Sequence, residues 1–560
     1  MSLNYLNPDG MKLHQKRVLL RSGFRAGLVL ILVFTFLGMF GVWYATRLGP
    51  GVGGDATIYL TSARNLITGQ GLGYWEAENT FRLLPYFPPF FPFVLGIIGA
   101  LKIPMVGGAR GLHILLFGAT ILFSGLLFYR YSRSTWLSVL LSAVIAFSPI
   151  LSFVFMWVMA EPIYLFAGIL CVWFLLRYLE TTHKGWLLFA ALSAGISFFA
   201  RYLGISFVLL GTFAVLLMTG EHLFRKIRDL AIFLLISCTP IVLWATYDRL
   251  FTGTISSRSV VAGGALPGQL TSLVNGIYEV VASWFIPFSW ISAPPYPAEM
   301  NPVLLALFLV SVVISALVLF YHQIKKPLNL ISGAEARLWV LMVVLIFLNT
   351  GTIMVVYILT YPPITLDNRM FSAAYLAMVF LLFAQGALVL RTWPSKKWLK
   401  VAVYMIFAFF LATYLYRTPR TILQIHEDGL GYNSSTWQAS DTIQAVKRLP
   451  EGLPVVTNDV AALMYFTDIR PYPLSEIYLA QPLPIFTRFG EDPNDPAQQA
   501  FREGAALVLF DSLKDELRFL YGARTGERIA HLTQGLYIHY RGSDGTIYFH
   551  HPPADDQSRP

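Results

Sequence analysis

The sequence predicts a mainly α protein: a polytopic transmembrane helical bundle of about 11 spans plus juxtamembrane helices, with a C-terminal extracytoplasmic α/β domain. Three observations predict it. Hydrophobic residues are 56% of the chain and charged residues only 13%, about half the charged share of an average soluble domain. A soluble fold of this length has no use for so much apolar surface, so lipid must act as part of the solvent. Apolar runs of roughly 20 residues recur through the first three quarters of the chain, the length that crosses a hydrocarbon core as a helix. Beyond Arg417, charge returns and the apolar runs shorten to strand length.

The first 25 residues are basic, with Lys12, Lys16, Arg17, Arg21 and Arg25 ahead of an apolar run at 26–45. That run is too long for a signal-peptide core and has no convincing small-residue cleavage site, so it reads as a retained first helix that starts inside. The polar stretch 46–86 then lies outside. The next apolar run, 87–103, is short and holds Pro88, Pro89 and Pro92, and Pro104 follows it. Loop charge decides whether it crosses. If 87–103 is a juxtamembrane or re-entrant helix, spans fall near 111–129, 136–154, 162–179, 186–201, 203–220, 229–247, 302–321, 337–360, 370–391 and 400–416. The basic loops Arg130/Arg133, Arg177/Lys184, Arg225/Lys226/Arg228, Lys325/Lys326/Arg337 and Lys396/Lys397/Lys400 then all lie inside. If 87–103 crossed, the first three would lie outside. The aromatic segment 268–290, with Glu279 and Pro287, reads as an outer-surface helix. The expected organisation is a cytoplasmic N-terminus at 1–25, a transmembrane domain at 26–420 whose first extracytoplasmic loop is 46–110, and a soluble outer domain at 421–560.

In that last part, 441–449 reads as a helix and 453–458 and 505–510 as short buried strands. Segments 537–540 and 546–550 read as a strand pair about Ser543-Asp544-Gly545. Strands alternating with helices indicate a small α/β domain. No internal repeat or low-complexity tract is evident.

Ionisable groups at membrane depth cost roughly 3 kcal/mol or more, so they are functional candidates. Asp55, Arg64, Arg82, Glu161, Arg201, Asp248, Arg249, Asp367 and Arg369 all fall at predicted outer ends of spans or in the first outer loop. Taken singly, each arginine has an ordinary interfacial reading as good as the functional one. As a set, carboxylates and arginines at a membrane edge suit one task. Arginine grips a phosphate bidentately, and a carboxylate can take the proton of an attacking hydroxyl. Sugar transfer from a lipid phosphate needs both.

Gly54-Asp55-Ala56-Thr57-Ile58-Tyr59, Ala63-Arg64-Asn65-Leu66, Gly69 and Pro88-Pro89-Phe90-Phe91-Pro92 resemble the first outer loop of the GT-C glycosyltransferases, in the branch of protein O-mannosyltransferases and aminoarabinose transferases. Met159-Ala160-Glu161-Pro162 resembles the second-loop acidic-Pro motif of that family. Ala200-Arg201-Tyr202-Leu203-Gly204, the segment from Trp244 to Gly253, and Asp367-Asn368-Arg369 resemble segments recurring in bacterial members. The resemblance spans about residues 20–420.

It implies a polyprenyl-phosphate sugar donor, an acceptor hydroxyl on the extracytoplasmic face of the bacterial cytoplasmic membrane, and inversion at the anomeric carbon. Asp55 would be the general base and Glu161 the second acidic position. Arg64, Arg82 and Arg201 would contact the donor phosphate. Tyr59, Glu78, Tyr86, Asp248, Asp367 and Arg369 are candidates for the acceptor side or the pocket wall. Two departures stand out. Many relatives carry an acidic residue after the first-loop Asp, where this chain has Ala56. Some carry Lys before the paired prolines, where it has Phe87. The acceptor could be lipid, glycan or protein. A transporter or flippase of lipid-linked substrates, and a non-catalytic membrane scaffold, remain the rival classes.

The net charge of +10 is no nucleic-acid signal, because the cations cluster in loops between apolar runs. The two cysteines, Cys171 and Cys238, sit in apolar runs and exclude a disulfide framework. His113, His183, His222 and His322 lack metal-ligand spacing, so no essential cofactor is expected, although a divalent metal stays open. His550-His551 reads as a surface feature. Asn433-Ser434-Ser435 matches a glycosylation sequon. The glycines Gly51, Gly53 and Gly54 read as a turn before Asp55. Asn458-Asp459 reads as a helix cap or a ligand edge.

Overall fold

A computed structural model describes residues 8–76, 80–84, 87–252, 259–260, 267–285, 334–361, 364–467, 469–474, 495–521 and 525–552. The chain divides into two compact units. One comprises Met1–Ala45, Pro85–Phe91 and Ala109–His426, and the other Thr46–Leu84, Pro92–Gly108 and Glu427–Pro560.

Among the described residues seven helices are long and apolar enough to cross a membrane: Arg25–Ala45, Met105–Ser132, Glu161–Thr181, Leu223–Phe251, Ala336–Leu359, Ser372–Arg391 and Lys397–Asp428. The run expected to cross at 136–154 forms two helices, Thr135–Ala146 and Pro149–Phe155, bent by 55°, which together make an eighth candidate span. The break has a local cause. Ser148 caps the second helix by accepting from the Leu151 N–H at 3.2 Å, and Pro149, which has no N–H to give, takes its first turn. The runs at 186–201 and 203–220 form the shorter apolar helices Lys184–Ala200 and Tyr202–Leu217. The helix in 87–103 has 11 residues, Phe90–Ala100, about 16 Å at 1.5 Å per residue, well short of a ~30 Å hydrocarbon core. The span expected at 302–321 lies outside the described residues.

At one end of the first unit, cations close helix C-termini across helix boundaries. Arg337 donates to the Leu179 carbonyl at 2.6 Å and Lys226 to that of Leu216 at 2.9 Å. Arg130 and Arg177 share Glu180, each at 2.9 Å. The carbonyls of a helix's last turn have no intrahelical partner and carry partial negative charge, so a basic loop is well placed to serve them.

The second unit holds a five-stranded sheet in the order Tyr472–Pro473, Val455–Thr457, Ala506–Phe510, Gly545–Phe549, Tyr537–Arg541. Val455–Thr457 pairs parallel with both neighbours, and the remaining pairs are antiparallel. The apolar run at 506–510 splits by alternation. Leu507 and Leu509 pack with Phe501, Leu513 and Leu517 on one face. Ala506, Val508 and Phe510 pack with Ile443, Val446 and Leu463 on the other. A strand covered on both faces reads as continuously apolar, which is why this one was visible in the sequence. Asp544, in the turn before Gly545–Phe549, accepts from Thr442 N at 3.1 Å and Thr442 Oγ1 at 2.7 Å, fastening that hairpin to the Asp441–Val446 helix.

The glycine segment before Asp55 is not a loose turn. Val52 forms a parallel bridge with Gly431, and the Tyr432 N–H donates to the Val52 carbonyl at 2.8 Å. Gly431 has φ +58°, and a Cβ there would meet the Val52 carbonyl oxygen at 2.2 Å, so this approach requires glycine. The sequon is used internally. Asn433 donates from Nδ2 to the Pro50 carbonyl at 2.7 Å and accepts from the Tyr465 hydroxyl at 2.8 Å, which leaves the buried amide unfit as a glycan acceptor.

Candidate active site

The Glu161 side chain starts the Glu161–Thr181 helix, where Pro162 fixes the first turn and the helix N-terminus favours a negative charge. Arg201 occupies the opposite kind of position, the C-cap of Lys184–Ala200, where the dipole favours a cation. The backbone turns sharply there into Tyr202–Gly204. A Cβ on Gly204 would lie 2.3 Å from the Phe198 nitrogen, so glycine is what allows this turn to fold back on the preceding helix. The turn aims Arg201 at Glu161, and Nη1 pairs with Oε1. The side chains are 14% and 1% exposed, so this is a buried ion pair.

Beneath it lies a second polar layer. Tyr164, one turn along from Glu161, accepts from Asn349 Nδ2 at 3.0 Å, and its carbonyl accepts from Ser197 Oγ at 3.1 Å. Both Tyr164 and Asn349 are fully buried.

The Asp367-Asn368-Arg369 segment is brought alongside. Arg201 Nη2 donates to Met370 Sδ at 3.2 Å, and Arg369 Nη1 lies 3.8 Å from Met159 Sδ. Asp367 holds the segment's shape. Its Oδ1 accepts from the N–H groups of Arg369 at 3.0 Å and Met370 at 3.1 Å, while Oδ2 takes Arg369 Nε at 2.9 Å and Nη2 at 2.8 Å. Asn368 faces the other way, accepting from Trp284 Nε1 at 3.0 Å and donating to Ser283 Oγ at 3.1 Å. Four residues singled out from sequence, Glu161, Arg201, Asp367 and Arg369, thus share one polar belt in the first unit. Asp248 is buried in the Leu223–Thr252 helix, near Tyr202.

The other candidates belong to the second unit. Asp55 is half-buried on the first turn of the Gly54–Ile67 helix, and a side chain on the preceding Gly54 would meet only open space. Tyr59, one turn on, is 1% exposed. Arg64 is exposed. It is nine residues beyond Asp55, which at ~100° per residue puts it roughly 180° around the helix. Arg82 lies on Thr80–Leu83, in register with Tyr74 across the small hairpin. Glu78 and Tyr86 lie outside the described residues. Among the described residues, no three His, Cys, Asp or Glu side chains gather to hold a metal ion. His113 is buried and stacks on Phe91 at 5.6 Å between ring centroids.

Sequence reading missed Tyr164, Asn349 and Arg417, and named Asn368 only as part of a motif. Asn349 carried a signal, since it is an amide in the middle of an apolar span. Arg417 carries one too, as a cation inside Tyr414-Leu415-Tyr416-Arg417, where composition alone marks only the return of charge.

No protein-family model matches the sequence, and no curated protein matches it. Among solved structures, the chain is similar to ArnT from Cupriavidus metallidurans, seen apo and bound to undecaprenyl phosphate, at 14% identity and TM-score 0.46, over 93% of this chain and 98% of that one. It is similar to the archaeal oligosaccharyltransferase AglB from Archaeoglobus fulgidus at 12% identity and TM-score 0.47, over 93% and 75% of the chains. The arabinofuranosyltransferase AftD from Mycobacteria matches at 12% identity and TM-score 0.48, over 96% and 42%.

Proposed function

We propose that the protein is a membrane glycosyltransferase that moves a sugar from a polyprenyl-phosphate-linked donor to an acceptor hydroxyl on the extracytoplasmic face, with inversion. The observation that carries this reading is the set of motif residues, Gly54-Asp55 through Tyr59 and Met159 through Pro162, taken with their chemistry: a half-exposed carboxylate at a helix N-terminus, and a buried carboxylate holding an arginine. In this reading Asp55 takes the proton of the acceptor hydroxyl as its oxygen attacks the anomeric carbon. The bond from that carbon to the phosphate oxygen breaks, and its electron pair leaves with the polyprenyl phosphate. Arg82 and Arg201 stabilise the charge that develops there. Glu161 acts as the positioning residue for Arg201. The acceptor is a lipid, glycan or protein, and the part beyond residue 420 is a soluble outer domain.

The test is sugar transfer by the purified full chain from a panel of radiolabelled polyprenyl-monophosphate sugars, comparing wild type with Asp55→Asn. Transfer or donor hydrolysis that vanishes in the variant supports both the reaction and the base. Turnover of a donor by both proteins alike removes Asp55 from the mechanism. Failure of wild type to turn over any donor removes the monophosphate-donor reading.

A further inference from the structure

We infer that Arg417 is an anion-binding residue of the polar belt and takes a phosphate group of a lipid substrate; this rests on the glycosyltransferase reading and supplies that site with a contact the motifs do not contain. Three arginines belong to the belt. Arg201 is paired with Glu161 and Arg369 with Asp367. Arg417 joins it through Ser283, whose carbonyl accepts from Arg417 Nη2 at 3.0 Å and whose hydroxyl accepts from Asn368. Arg417 Nη1 is buried and bonds to nothing among the described residues. Among the described residues, two carboxylates therefore balance two guanidiniums, and the third keeps its positive charge and unused N–H donors.

An arginine on a membrane helix normally swings its head towards water. This one is held. Tyr414, three residues before it on the same face, donates to the Trp284 carbonyl at 3.0 Å and accepts from the Tyr375 hydroxyl at 2.9 Å. Tyr375 in turn bonds Ser148 Oγ at 2.8 Å. Thr418, the next residue, donates to the Phe147 carbonyl. Tyr414, Arg417 and Thr418 thus fix one face of the Lys397–Asp428 helix against three other elements, and Arg417 keeps its place with part of its fork unused. Groups that develop or carry negative charge are served best by donors fixed in advance. A phosphate monoester or diester fits such a fork. The rival role is structural: Ser283 O is one of the last carbonyls of Pro267–Phe285, and in that role Arg417 is its cap alone.

Binding separates the two. Thermal shifts of the full chain in detergent are measured against undecaprenyl phosphate, undecaprenol and phosphatidate, for wild type, Arg417→Gln and Arg417→Lys. Wild type is expected to bind undecaprenyl phosphate and not undecaprenol, with affinity at least about tenfold weaker in Arg417→Gln and reduced less in Arg417→Lys. Should Arg417→Gln fail to fold, Arg417→Lys, which keeps the charge and loses the fork, carries the comparison. A variant that melts lower without ligand but binds the phosphate lipid as wild type does would overturn the proposal and leave the cap. Equal binding of undecaprenol and its phosphate by wild type would overturn it as well. Arg417-dependent binding of phosphatidate as tight as that of undecaprenyl phosphate would keep Arg417 as the phosphate contact and remove the polyprenyl donor.

Discussion

Glu161 and Arg201 meet where neither can reach bulk water freely. A buried pair is costly to break because the survivor keeps its charge without its partner, a loss of about 3–5 kcal/mol. Glu161→Gln is therefore expected to lower the melting temperature sharply, whereas an apolar pair, Glu161→Leu with Arg201→Met, should recover most of that stability. If both arginine and carboxylate serve substrate, the double variant will fold yet stay inactive; recovered activity would make the pair purely structural. Asp55 differs in kind. It stands half-exposed on the first turn of a helix, so Asp55→Asn should leave folding unchanged and reduce transfer by about 10²–10⁴-fold, the usual yield of a general base.

Among elements, the Val460–Phe466 helix gives a test in which pH enters. Asp459 is its N-cap, accepting from Ala462 N at 3.0 Å and from the Tyr432 hydroxyl at 2.7 Å. Burial pushes its carboxyl above the ordinary aspartate range, against the pull of those two donors. A folded-state pKa raised above the unfolded one means the native protein holds the proton longer. The stability associated with Asp459 is thus present at low pH and declines as pH climbs from the ordinary aspartate range through the raised value. Asp459→Asn keeps an acceptor for both donors and should flatten that decline in melting curves taken across pH, while Asp459→Ala should cost about 1 kcal/mol at low pH and less as pH climbs. Gly431→Ala tests the bridge to Val52. A Cβ 2.2 Å from a backbone oxygen cannot be relieved by a side-chain rotation, so this variant should melt well below wild type.

At the scale of the molecule, sidedness is the open expectation. Basic loops gathered at one set of span ends would place the N-terminus inside and the residues beyond 420 outside. Cys171 is buried and Cys238 half-buried, so single cysteines can be introduced on a background with little competing reactivity. A cysteine at Ser512 should react with a membrane-impermeant thiol reagent on intact cells, and one at Ser134, beside Arg133, only after permeabilisation. Labelling of the Ser134 cysteine on intact cells would mean that 87–103 crosses after all.

The sequence by itself determined what depends on composition and local periodicity. Apolar runs announced helices, because a lipid-facing segment must be apolar all round and must satisfy its own backbone. The run at 506–510 announced a strand, because both its faces are covered, and Asp459 announced a cap, because capping is a contact between near neighbours. The position of Glu161 and Arg201 could be guessed from their cost at membrane depth. Their pairing could not, since 40 residues and a glycine turn separate them. Only tertiary structure decided that Asn433 is an internal tie and no sequon, that Ser148-Pro149 breaks a run which hydropathy reads as one span, and that Arg417 joins a belt built from four distant segments. The physical reason is the same in each case. Hydropathy and spacing record what each residue costs to bury, whereas a partner's identity depends on which distant segments the packing brings within hydrogen-bond reach.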